Sequence, residues 1–141
     1  MAEHQSGEAK CMCGAVTVKA AKIDRHAGAC HCGMCRKWSG GPLLAVDCGK
    51  DVLFEGDDSI TVYSSSNWAD RGFCSHCGTH LFYRLKASGQ YIMPAGLFEK
   101  LDYDFDHQIF IDRKPGWYAF ENDTKDMTEA EVFAKYAPGG E

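Results

Sequence analysis

Long apolar runs are missing from this sequence of 141 residues. The longest strongly apolar stretch, near Pro42 to Val46, is far too short to cross a bilayer. Blocks of basic residues are missing too, and 15 Lys and Arg against 20 Asp and Glu leave a net charge of −5. Partners captured by positive charge, nucleic acid or an anionic membrane, are therefore not expected. Met1 to Ala9 is polar and has no apolar core of a secretory signal, so the expected compartment is a reducing cytoplasm. There is no internal repeat, no low-complexity segment and no linker. One domain over residues 1–141 is expected, with its core at about 10–125. A chain that is 45% hydrophobic and 25% charged has a globular composition, which excludes wholesale disorder.

Cysteine is what the chain has in excess: eight, at positions 11, 13, 30, 32, 35, 48, 74 and 77. Four disulfides would suit a small secreted scaffold. Here no export signal accompanies them, and seven of the eight fall into C-x-C, C-x-C-x-x-C and C-x-x-C clusters. Short spacings suit metal ligands, because neighbouring sulfurs can converge on one small ion.

Between and after the clusters the chain reads as short strands. Candidates are Ala15 to Ala20, Pro42 to Val46, Asp51 to Phe54, Ser59 to Tyr63, Thr79 to Lys86, Gln90 to Met93 and His107 to Ile111. Turn signals at Gly40-Gly41, Ser88-Gly89 and Pro115-Gly116 punctuate them. Many short strands with frequent turns predict a mainly antiparallel β domain. Met34 to Ser39 has room for one helical turn. Thr128 followed by Glu131 is a capping box, predicting a helix from about Glu129 to Tyr136 that stops before Pro138-Gly139. The first nine and last four residues are expected to fray.

Cys74-Ser75-His76-Cys77-Gly78 has the form of a zinc knuckle, whose tight turn aims backbone N–H groups at the sulfurs. The glycine after the second ligand takes the unusual backbone angles. A knuckle supplies two ligands, and a closed tetrahedral site needs four. Cys11-Met12-Cys13-Gly14 offers the second pair. The resulting site would clamp two distant segments together, and its binding energy would be part of the folding energy. Cys30, Cys32 and Cys35 remain, and three ligands leave a fourth position open, the usual mark of a reactive zinc. A different partition, with Cys30 and Cys32 in the closed site and Cys11 and Cys13 elsewhere, is also compatible with the spacing.

Charge constrains what such a centre does. Zinc(II) with three thiolates has a formal charge of 2 − 3 = −1, a poor setting for making hydroxide from water. It can still hold a fourth thiolate deprotonated at neutral pH. Thiol–carbonyl addition, or its reverse, is the expected reaction class. Arg36, Lys37 and Arg71 lie within three residues of clustered cysteines and are candidates for substrate carboxylates. Cys48, outside every cluster, reads as a small buried hydrophobe. His31, between two ligands, points away from both sulfurs in an extended segment. His76 is expected at an exposed knuckle tip. His80 and His107 read as structural strand histidines, and Trp38, Trp68 and Trp117 as core or pocket wall.

Taken in order, Cys11-Met12-Cys13-Gly14, Cys30-His31-Cys32-Gly33-Met34-Cys35-Arg36-Lys37, Tyr63 to Ser66, Arg71 to Gly78, Leu81-Phe82, Gly96-Leu97, His107 and Trp117 resemble the glutathione-dependent formaldehyde-activating enzymes, or GFA-domain proteins. The resemblance implies a zinc-stabilised β fold like that of Mss4 and the type B methionine sulfoxide reductases. It implies a structural zinc at Cys11, Cys13, Cys74 and Cys77, and a reactive zinc at Cys30, Cys32 and Cys35. It implies carbon–sulfur lyase chemistry joining a small thiol such as glutathione to formaldehyde. Two other functions stay open: a non-catalytic zinc module that binds a protein, and a redox enzyme using Cys48 or Cys35. Around Gly96 and His107 the chain departs from the family, with Leu97-Phe98-Glu99-Lys100 after the glycine and Phe105-Asp106 before the histidine.

Overall fold

The computed structural model describes residues 3–136. In chain order its strands and helices are β1 (His4–Lys10), β2 (Thr17–Asp24), β3 (His26–Cys30), α1 (Gly33–Ser39), β4 (Leu43–Asp47), β5 (Val52–Glu55), β6 (Ile60–Ser64), β7 (Ala69–Cys74), β8 (His80–Leu85), β9 (Tyr91–Pro94), β10 (Asp104–Ile109), β11 (Lys125–Met127) and α2 (Glu129–Tyr136). The fold is mainly β with two short helices, as the turn-rich sequence predicts. No helix among the described residues is long and apolar enough to cross a membrane.

The chain divides into two compact units, each built from separate stretches of sequence. Unit 1 comprises Met1–Arg25 and Val46–Asp102; unit 2 comprises His26–Ala45 and Tyr103–Glu141.

In unit 1, β2 lies between β1 and β5, antiparallel to both. A second run has β6, β7, β8 and β9 in antiparallel order. Val16, Val18, Ile23, Leu81 and Met93 are fully buried there. Phe54, Phe82 and Tyr91 pack on one another with ring centroids 5.1–5.5 Å apart. β1 corrects the expectation of fraying for His4 to Ala9; Met1 and Ala2 lie outside the described residues. Its inward positions include Gly7 and Ala9, so the alternation that makes it a strand carries little hydrophobic contrast.

In unit 2 the order is β11, β10, β3, β4. β3 and β4 are antiparallel, whereas β10 runs parallel to both β3 and β11. These parallel pairs are the departure from an antiparallel fold; they join segments far apart in sequence, so no hairpin signal announces them. α1 is longer than the single turn expected: Cys32 caps its start, its sulfur accepting from the Cys35 amide at 3.3 Å. Gly40 closes it in the left-handed region, its N–H donating to the Arg36 carbonyl at 2.8 Å. The capping box of α2 forms as expected. The Glu131 amide donates to Thr128 Oγ1 at 3.2 Å, and the Thr128 amide to the Glu131 carboxylate at 2.8 Å. Pro138 and Gly139, and the last four residues expected to fray, lie outside the described residues.

Candidate metal centres and functional site

Seven cysteine sulfurs gather into two groups, each with its sulfurs within 4.8 Å of one another. Cys11, Cys13, Cys74 and Cys77 converge in unit 1; Cys30, Cys32 and Cys35 converge in unit 2. The first of the two partitions left open by the spacing is the one the fold adopts.

The four-cysteine group is built by two similar turns. The His76 amide points at the Cys74 sulfur, 3.4 Å away, and the Val16 amide at the Cys11 sulfur, 3.3 Å away. Gly14 and Gly78 both take positive φ, at 83° and 78°, the left-handed conformation that the knuckle pattern calls for. The Met12 amide donates to Thr79 Oγ1 at 3.1 Å, tying the two turns together. The Cys11–Cys13 and Cys13–Cys74 sulfurs are 3.7 and 3.8 Å apart. A tetrahedron with Zn–S of about 2.3 Å has edges of about 3.8 Å, so this donor set fits zinc. Thr79 hydrogen bonds hold the Cys77 thiol down at about 5. An amide hydrogen bond from Ala15 lowers Cys13, but desolvation and the neighbouring sulfurs push it up to about 11. Four thiols this close cannot all ionise without a cation among them.

The three-cysteine group sits where β3 passes into α1. Cys30 ends the strand, Cys32 caps the helix, and Cys35 is buried on its first turn. Close contacts with the Cys32 and Cys35 sulfurs push the Cys30 thiol strongly up. Here too the donor set suits a soft or borderline cation. Among the described residues the convergent group holds three ligands, one fewer than a closed tetrahedral site.

His31, between two of these ligands, is fully buried. Its amide donates to the Ile109 carbonyl at 3.2 Å, and its carbonyl accepts from Arg36 Nε at 2.9 Å. A directed chain of side-chain hydrogen bonds fixes the ring. Thr124 donates to Asp126 at 2.7 Å, so its oxygen accepts from Gln108 Nε2 at 2.9 Å. Gln108 Oε1 is then the acceptor for His31 Nε2–H at 2.7 Å, and His31 Nδ1 accepts from the Tyr118 hydroxyl at 2.6 Å. Burial pushes His31 down and Tyr118 up, which keeps the ring neutral and the phenol protonated, as this direction of donation requires. His31 is not among the side chains that converge with the three sulfurs. Its complete burial rests on Gln108 and Tyr118, 77 and 87 residues away, which no local pattern reveals.

Of the three candidate cations, Arg36 and Lys37 lie on α1 beside Cys35. With Gly33, Gly40, Gly41 and Trp117 they line a shallow groove of about 270 Å³. Trp117 is 71% exposed, a wall of this groove and not part of the core. Arg71 belongs to unit 1 and is buried, its guanidinium 4.9 Å from the Tyr83 ring and its Nε donating to Ser65 Oγ at 3.2 Å. Cys48 is fully buried outside both groups, and burial pushes its thiol up to about 12, which makes it inert. His76 is exposed, as a knuckle tip should be. A larger groove of about 410 Å³ in unit 1, lined by Ser6, Lys19 and Leu53 among others, contains no cysteine or histidine.

Comparison with known proteins places the chain in a family. The family described as "Glutathione-dependent formaldehyde-activating enzyme" matches residues 6–113. A Schizosaccharomyces pombe protein named an uncharacterized lyase is 35% identical over 127 residues, covering 89% of this chain and 93% of its own length. The crystal structure of a Rhodobacter sphaeroides protein shares the fold, with a TM-score of 0.58 and 23% identity, over 67% of this chain and 90% of that one.

Proposed function

The chain belongs to the glutathione-dependent formaldehyde-activating enzyme family, and on that premise we propose that it is a carbon–sulfur lyase that joins a small thiol, such as glutathione, to formaldehyde or another small aldehyde. The observation that carries the reading is the convergence of three thiols, and not four, at Cys30, Cys32 and Cys35. We assign zinc to both groups: a structural ion to Cys11, Cys13, Cys74 and Cys77, and a reactive one to Cys30, Cys32 and Cys35. When bound, the reactive zinc supplies a positive centre that favours the thiolate form of an incoming thiol at neutral pH.

The chain's own residues do the rest. Cys32 and Cys35 are locked by the α1 cap, and Cys30 by the ladder to β4 through Leu43. His31, anchored through its amide, carbonyl and both ring nitrogens, fixes the peptide between Cys30 and Cys32. Arg36 and Lys37, along the groove beside Cys35, are placed to hold carboxylates of the thiol substrate. Trp117 forms an apolar wall for its backbone. The reaction forms one S–C bond; the carbonyl oxygen becomes a hydroxyl and takes the proton that the thiol gives up. No electron leaves the pair of substrates. Proton NMR of glutathione and formaldehyde at equilibrium tests the reading. Zinc-loaded protein should speed exchange into the S-hydroxymethyl adduct, and Cys32→Ser should not. Equal exchange with and without the protein would refute it.

A further inference from the structure

Parallel strands β3 and β10 do not keep a simple register. Asp104 pairs with His26 and Phe105 with Ala27, but then His107 pairs with Gly28 and Ile109 with Cys30. Asp106 is the extra residue, and such bulges re-aim side chains where a sheet needs an exception to alternation. The carboxylate of Asp106 reaches two rings, His107 Nδ1 at 2.8 Å and His26 Nδ1 at 2.5 Å. Burial pushes Asp106 up, but these two hydrogen bonds outweigh it and hold the carboxyl below its usual range. As an ionised acceptor it requires Nδ1–H on His107, which leaves the lone pair of that ring on Nε2.

The Nε2 end of the ring lies over Gly28, where any Cβ would overlap it. The glycine is therefore a space requirement of His107. Gly28 and Cys30 are two residues apart on one strand and so share a face. His107 Nε2 thus stands roughly 6.6 Å along the strand from the base of the Cys30 side chain, two residues at about 3.3 Å each. His31 and Gln108 lie on the opposite face, with Ala29, so the two histidines flanking the cluster are separated by the strand itself. The His107 side chain is 42% exposed, within reach of a substrate.

We propose that His107, oriented by Asp106 across the β10 bulge, is the catalytic residue that carries the proton in thiol–aldehyde addition at the Cys30–Cys32–Cys35 site. The inference rests on the proposed function. The substrate thiol gives its proton to Nε2, its sulfur forms the bond to the carbonyl carbon, and Nε2–H returns the same proton to the carbonyl oxygen. Asp106 is a positioning residue, and the chain is unchanged after the cycle.

The test measures wild type first, then His107→Ala and His107→Gln, the latter keeping a donor for Asp106. Both variants should lose about 100-fold or more in kcat, the scale of a general acid–base group. Both should keep thiol affinity and the thiolate-to-cobalt absorption of the cobalt-substituted site. Added imidazole should restore rate to His107→Ala, whose lost ring leaves a space over Gly28. Gly28→Ala, which displaces the ring and removes no titrating group, should show the same kcat loss. An active wild type with both His107 variants within about 3-fold of its kcat would overturn this inference and leave the proposed function standing, since a general acid–base group is worth far more. A wild type without addition activity would overturn both.

Discussion

Replacing His31 with Leu tests how the three-cysteine site is held, because Leu keeps apolar bulk in a fully buried position and removes both ring nitrogens. Gln108 Oε1, on a residue only 6% exposed, then has no donor, and an unsatisfied buried polar group costs about 1–3 kcal/mol. The half-buried Tyr118 hydroxyl can turn to water, so its lost hydrogen bond adds roughly 0.5–1 kcal/mol. The expected loss is about 2–3 kcal/mol, or a Tm lower by about 10 °C for a chain of this size. Guanidinium and thermal unfolding of the zinc-loaded protein measure it. The same change frees the peptide between Cys30 and Cys32. Zinc affinity at the three-cysteine site should fall by about 10- to 100-fold, as when the outer partners of metal ligands are removed. The four-cysteine site, in unit 1, should keep its ion. A loss below about 0.5 kcal/mol, the low end for a single net hydrogen bond, would refute the reasoning.

The other consequences follow from the same geometry. Cys77→Ser should remove one zinc per chain and unfold unit 1 in most of the protein at 37 °C, because that metal energy is folding energy; metal analysis with circular dichroism checks it. Cys32→Ser should remove one zinc and leave the strand signal intact, whereas the alternative partition predicts unfolding for both variants. Thr128→Ala should cost about 1 kcal/mol through the capping box of α2 and leave both metal sites unaffected, by denaturant midpoint and metal content.

What the sequence reveals, and what it hides, divides by range. Cysteine spacing is local, so C-x-C-G and C-x-x-C-G already state which sulfurs turn back on one another, and Thr128 with Glu131 states a helix start. Cys30-x-Cys32 ends a strand and begins a helix, and the cap by the Cys32 sulfur makes both possible within three residues. β1 is hidden because Gly7 and Ala9 give its inner face little hydrophobicity. The β3–β10 pair is hidden because it is parallel, and a parallel neighbour needs no turn signal. With that pair go the burial of His31 and the clustering of His26, Asp106 and His107. The departure from the family pattern at Phe105-Asp106 was visible as a difference; only the bulge shows that it brings a carboxylate to two imidazoles. Arg71 shows another limit: its closeness in sequence to Cys74 does not reveal that β7 buries it against Tyr83.

The most direct test of the open three-cysteine site is a calorimetric titration of glutathione into protein of measured zinc content, beside Cys32→Ser. The account predicts saturable binding of one thiol per chain at two zincs per chain, abolished in the variant. Two zincs per chain with no glutathione heat, or equal binding by Cys32→Ser, would contradict it.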